Sequence, residues 1–174
     1  MASFGEQLLE AGRRNNTELL LDIRAKINDE PKLADLINST TEQITDNSSL
    51  HLACHSGNWE FIDIVLDVEG VEIDPQNREG QTPLHVIVKY CAEEFDHGKF
   101  ICDNMLDAGA DPRITDKHGR KPIDLVTDDM DPSLRELLES AEYAIGMEIP
   151  QDGDFEGGEE EEGDEEEGDP TDSE

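Results

Sequence analysis

At 174 residues the chain has room for one domain of ordinary size with a core of its own, plus an appendage. Against 45 acidic residues stand only 13 basic ones, a formal net charge of -32, which excludes a surface that seeks DNA, RNA or an anionic membrane. Three cysteines, Cys54, Cys91 and Cys102, lack CxxC spacing and read as small buried apolar groups, not as a disulfide framework or a zinc site.

The N-terminal stretch "MASFGEQLLEAGRRNN" has no basic start followed by an apolar h-region, and no apolar run of about 18 residues follows anywhere. A soluble intracellular protein is expected, in the cytoplasm first and the nucleus second. The segment "EQLLEAGRRNNTELLLDI" sets a small-residue helix, a turn and an apolar helix in succession. That order returns in "NSSLHLACHSGNWEFIDIVLD", where Ser48 and Ser49 offer caps to the first helix. It returns again in "GQTPLHVIVKYCAEEFDHGKFICDNMLDAGADP", which places His85 34 residues after His51. "GRKPIDLV" repeats the opening once more, with Asp124 in the histidine position 39 residues after His85.

Repeats of about 33 residues carrying T-P-L-H make the chain similar to ankyrin-repeat proteins. The resemblance is sharpest in "GQTPLH" and "DAGADPRITDKHG", and it covers residues 4 to 142 in four units, about 4–38, 46–79, 80–118 and 119–142. It implies an all-α repeat solenoid of helix-turn-helix units with β-hairpin fingers, in a domain 1–146. It also implies that His85 is a hydrogen-bonding strut to the preceding hairpin. Within "EGQTPLH", Thr82 suits an N-cap and Pro83 the first helical position, so the stretch reads as architecture.

The third unit is about six residues longer than its neighbours, with the excess in "KYCAEEFDHGKF". Insertions in solenoids fall in loops on one face, often the binding face. Tyr90, Phe95 and Phe100 are therefore candidate partner contacts, each of which could equally pack back on the stack. Trp59 is a candidate anchor because Trp is enriched at interface hot spots. Arg78, Lys117 and His118, at the expected finger tips, complete the set on the body. After the last unit, "PSLRELLESAEYAIG" puts Leu134, Leu137, Leu138 and Ala141 on one helical face, with Arg135, Glu136, Glu139 and Glu142 outward.

From Glu148 to Glu174 there are 15 acidic residues and no Lys or Arg, leaving the first 147 residues a net -17. A stretch so poor in apolar side chains cannot offset chain entropy by burial, so 147–174 is expected to be a disordered acidic tail, with Phe155 as its one aromatic candidate contact. No GxSxG, GxxxxGKS/T or HExxH motif occurs, and "DPQNREGQT" lacks the ligands of a calcium loop, so no catalytic residue, metal or cofactor is expected and the chain is not read as an enzyme.

The whole build is similar to that of small acidic-tailed fungal ankyrin-repeat chaperones that escort a ribosomal protein. That likeness implies a monomeric chaperone or assembly factor for a basic client, ribosomal first and histone next, with no nucleic acid and no membrane as partner. The alternative is a stoichiometric regulator, or a scaffold adaptor, of an enzyme or a transcription or translation factor.

Overall fold

A computed structural model describes residues 2–148; the acidic tail from 149 onward, with Phe155, lies outside the described residues. Met1–Leu138 form one unit, and α8 continues beyond it from Glu139. The elements are α1 (Phe4–Arg14), α2 (Thr17–Ile27), α3 (Glu30–Ser39), α4 (Ser49–His55), α5 (Trp59–Leu66), α6 (Pro83–Tyr90), α7 (Phe95–Asp107), a 3₁₀ helix (Pro122–Leu125) and α8 (Pro132–Glu148). All regular structure among the described residues is helical, as an all-α repeat solenoid requires.

Each inner helix opens with the same device. Ser3, Ser48 and Thr82 accept the backbone N–H three residues on, while Glu6, His51 and His85 reach back to the N-cap N–H. Asp124 likewise reaches back to the Lys121 N–H at 2.9 Å, but the lysine side chain has no acceptor to return the bond, so only half of the device forms there. The reach back to the N-cap N–H thus survives in every unit, from histidine inside the stack and from a carboxylate at either end.

One continuous core runs through the unit, from Leu8 and Leu20 through Phe61, Ile87 and Met105 to Leu134 and Leu138. Cys54 and Cys102 are buried in it, and Cys54 Sγ lies 3.6 Å from Met105 Sδ. Burial alone pushes the thiol of Cys91 up to about 11.

Two features depart from the sequence reading. First, α3 fills the space between α2 and the first finger, where no separate helix was expected. Asp29 caps it and Pro31 stands in its first turn, while Leu33, Ala34 and Ile37 bury one face. Secondly, the fingers are not strand ladders: the described residues hold one isolated antiparallel bridge, Thr41 to Ser48, and otherwise only tight turns.

The long third unit resolves into a turn after Tyr90 and extra residues at the start of α7, which has 13 residues where α5 has 8. Gly98 packs under the turn, and His97 Nε2 donates to the Gly57 carbonyl at 2.7 Å. Gly57 has φ +66°, and a Cβ there would meet the Tyr90 ring at 2.4 Å. The inserted residues are thereby fastened to the preceding unit.

Candidate functional site

The fingers are built from the turn residues upward. In the second, Asn77 Oδ1 accepts from the N–H groups of Glu79 and Gln81, both at 3.0 Å. In the third, Asp116 Oδ1 accepts from His118 N at 2.9 Å and Arg120 N at 3.0 Å. Adjacent fingers are then joined by single backbone bonds, Arg78 N to Thr45 O at 2.8 Å and Lys117 N to Glu79 O at 3.0 Å. A side chain at Gly80 would drive its Cβ to 2.7 Å from Lys117 N, whereas nothing lies within 4 Å of that position at Gly119, which has the same φ of +77°. Glycine at 80 is required twice over, by backbone conformation and by the stacked neighbour.

The two histidines tie helices to fingers, but in the direction opposite to the one expected. His51 Nε2 donates to the Gln81 carbonyl at 2.7 Å, and His85 Nε2 donates to the Arg120 carbonyl at 2.8 Å. Both acceptors belong to the following finger, not the preceding one. Side chains in a first helical turn lean toward the N-terminus, and the last residue of the next finger is stacked there. The other nitrogen, Nδ1, accepts from the N-cap N–H at 3.1 Å in both boxes.

Both rings are thus neutral Nε2–H tautomers. Burial pushes His51 down to about 4 and His85 down as well. For Asp116, burial works upward, but the Arg120 and His118 N–H groups and the Arg120 guanidinium outweigh it and hold the carboxyl at about 2.

Between the first two fingers and helices α4 and α6 lies a groove with a cavity volume of about 540 Å³. Ile44, Val86 and Tyr90 give it apolar walls; Arg78, Lys89, Glu79 and Glu93 give it two charges of each sign. Lys89 donates to Gln81 Oε1 at 3.1 Å. Arg78 pairs with Asp46 at 3.7 Å across the first two finger tips, and Glu79 meets Lys117 at 3.5 Å and His118 at 3.8 Å across the next two. The tip cations face acids of neighbouring fingers, and no strongly basic or acidic field remains there.

Of the candidate contacts, Arg78 and Tyr90 line this groove, and Lys117 and His118 stand on the next finger. Trp59 and Phe100 lie together elsewhere, on α5 and α7, with ring centroids 5.1 Å apart in an edge-to-face arrangement. Phe95 and Tyr90 are partly buried against the core. Ile44, 79% exposed at the first finger, had not been singled out. Its signal was present: a lone apolar residue inside "TEQITDN", about one repeat before Asn77. Among the described residues no group of three His, Cys, Asp or Glu side chains is placed to hold a metal, and no helix is long and apolar enough to cross a membrane.

Comparison with known proteins agrees with this architecture. Residues 8–116 match the family of ankyrin repeats in three copies. The chain is 48% identical over 147 residues to the ankyrin repeat-containing protein YGL242C of Saccharomyces cerevisiae, covering 83% of this chain and 81% of that one. It is 35% identical over 95 residues to diacylglycerol kinase iota of Rattus norvegicus, 53% of this chain but 8% of that one. With the B-cell lymphoma 3 protein of Homo sapiens it shares 30% identity over 115 residues, 64% of this chain and 24% of the other.

Proposed function

The chain belongs to the ankyrin-repeat family, a scaffold for protein binding, and we propose that it escorts a strongly basic client, a ribosomal protein first and a histone next. The observation that carries this reading is the charge: 45 acids against 13 bases, with 15 of the acids in the last 27 residues. Such a field attracts Lys- and Arg-rich proteins over a distance and raises encounter rates, while a shaped groove supplies contacts that do not depend on charge. A free basic client binds nucleic acid wherever it meets it. An acidic escort holds that surface until assembly. The work belongs to the cytoplasm, with the nucleus as the second compartment, and binding alone suffices for it.

The charge-balanced groove favours a second reading, in which the repeats cap a neutral surface of a regulated enzyme or factor and the acidic tail only keeps the complex dissolved. A salt titration of client binding separates the two, using the full chain and a chain ending at Gly146. For an escort, the full chain binds more tightly at low salt and loses that advantage as the Debye length falls from about 10 Å at 0.1 M to about 3 Å at 1 M. Parallel curves for the two chains overturn the escort reading and leave the regulator.

A further inference from the structure

The acidic residues of the folded body are not spread evenly. Across the finger segments 42–47, 76–81 and 115–121 there are four acids and four bases. Along 59–69 and 93–107, which hold α5 and α7, there are nine acids and one base, Lys99. Asp63, Asp67, Asp96, Asp103 and Asp107 are all exposed, and among the described residues none of them is in an ion pair. Lys99 is near enough to Asp131 to lower that carboxyl, after the stronger pull of the Ser133 N–H and hydroxyl.

At the middle of this acidic surface stands the Trp59–Phe100 pair. Phe100 is 49% exposed, so the pair presents aromatic surface to solvent in the midst of these carboxylates. Asp96 and Asp103 lie one turn to either side of it on α7, and Asp63 lies one turn on from Trp59 along α5. Asp96, Lys99, Phe100 and Asp103 enclose a depression of about 240 Å³. An aromatic face ringed by unpaired carboxylates is what a guanidinium or ammonium group recognises, through the ring quadrupole and through charge together.

We propose that this outer surface of α5 and α7, centred on Trp59 and Phe100, is a docking site for a Lys- and Arg-rich segment of the client. The inference rests on the reading of the client as basic and goes beyond it by placing the charged contact on the outer helices, away from the groove. The groove then takes a less charged part of the same partner.

Trp59 is the chain's one tryptophan and therefore reports on this surface directly. The experiment titrates the full chain with a Trp-free oligo-arginine peptide at physiological salt, following Trp59 emission and, independently, the heat of binding. Emission is expected to change saturably, with the same Kd as the heat. The triple variant Asp63→Asn/Asp96→Asn/Asp103→Asn is expected to bind about tenfold more weakly, since each exposed pair contributes little but the three act together. Phe100→Ala, read by heat alone, is expected to weaken binding by several-fold while leaving the helical circular dichroism unchanged. Heat of binding with silent Trp59 emission and an unaltered Kd in the triple variant overturns this site while leaving the basic-client reading standing on the tail. Failure of the full chain to bind the peptide at all overturns both.

Discussion

The finger side and the outer-helix side of this molecule are made from the same repeats and use charge in opposite ways. On the fingers three cations are answered by carboxylates: Arg78 by Asp46, Lys117 by Glu79, and Arg120 by Asp116 at 3.0 Å. Polar groups there are spent on holding one unit to the next. On α5 and α7 only Glu60 is held, by Asn15 Nδ2 at 2.8 Å, while Asp63, Asp96, Asp103 and Asp107 make no ion pair among the described residues, although burial beneath them, at Phe61, Ile62, Ile101 and Met105, is complete. Order in the second region comes from the apolar face of each helix, so its polar face is left open to composition. Substitutions should therefore cost stability on one side and leave it nearly untouched on the other.

The largest expected effect is at the strut. His51→Ala removes the donor to the Gln81 carbonyl and the acceptor for the Ser48 N–H, both buried, and should cost about 3 kcal/mol at pH 7. The pH dependence separates strut from filler. Burial depresses His51 from 6.5 to about 4, so its contribution is whole above pH 6.5 and is lost as pH falls toward 4, where the unfolded chain takes up a proton that the folded chain refuses. Denaturation at a series of pH values should show the gap between wild type and variant closing across that window. A gap constant from pH 7 to pH 4 would mean that the ring serves only as volume.

Much of this side was legible in advance, and the limits have physical causes. The boxes at Ser48 and Thr82, and the reach of Asp124 to the Lys121 N–H, are local: N-cap, helix start and reaching side chain lie within four residues, so sequence spacing reveals them. The direction of the strut is not local, because Gln81 and Arg120 reach His51 and His85 only after the fingers stack. The helix α3 left a readable trace in "NDEPKLADLI", with a cap, a proline and apolar residues at helical spacing, which the degenerate first repeat obscured. The groove's neutrality could not be read, since Arg78 looks like a free cation until Asp46, 32 positions earlier, is brought beside it. Nor could the Trp59–Phe100 contact, which joins side chains 41 positions apart.

A smaller effect of the opposite sign is expected at Asp74, just ahead of the second finger. Its carboxylate accepts from Asp111 N at 3.1 and 3.2 Å, yet burial, aided by the charge of Asp111, raises it from 3.8 to about 6. A raised carboxyl stabilises fully below pH 3.8 and loses that contribution as pH climbs through 6, so at neutrality the wild type carries a poorly solvated charge. Asp74→Asn keeps an acceptor for Asp111 N and removes the charge. It should stabilise by about 1 kcal/mol at pH 7, discounted because the group is only partly buried, and by nothing at pH 4. Thermal melts at the two pH values decide the matter, and destabilisation at pH 7 would show that the anion itself holds the finger.

The smallest effect belongs to the outer helices, and its smallness is the point. Asp63, Asp96 and Asp103 make no ion pair among the described residues, so replacing all three by Asn should change stability by less than about 0.5 kcal/mol and in the stabilising direction, because like charges stand on one surface. Salt provides the finer test. Screening relieves the wild type of repulsion that the variant no longer has, so added salt should raise the wild-type melting point more than the variant's, and the two should converge near 1 M, where the Debye length is about 3 Å. Carboxylates that fasten nothing in the body and repel one another are retained at a small cost in stability, which is how a surface kept for a cationic partner differs from one kept for the fold. A loss of more than about 1 kcal/mol in the triple variant would show that these side chains hold structure after all, and the contrast between the two sides would collapse.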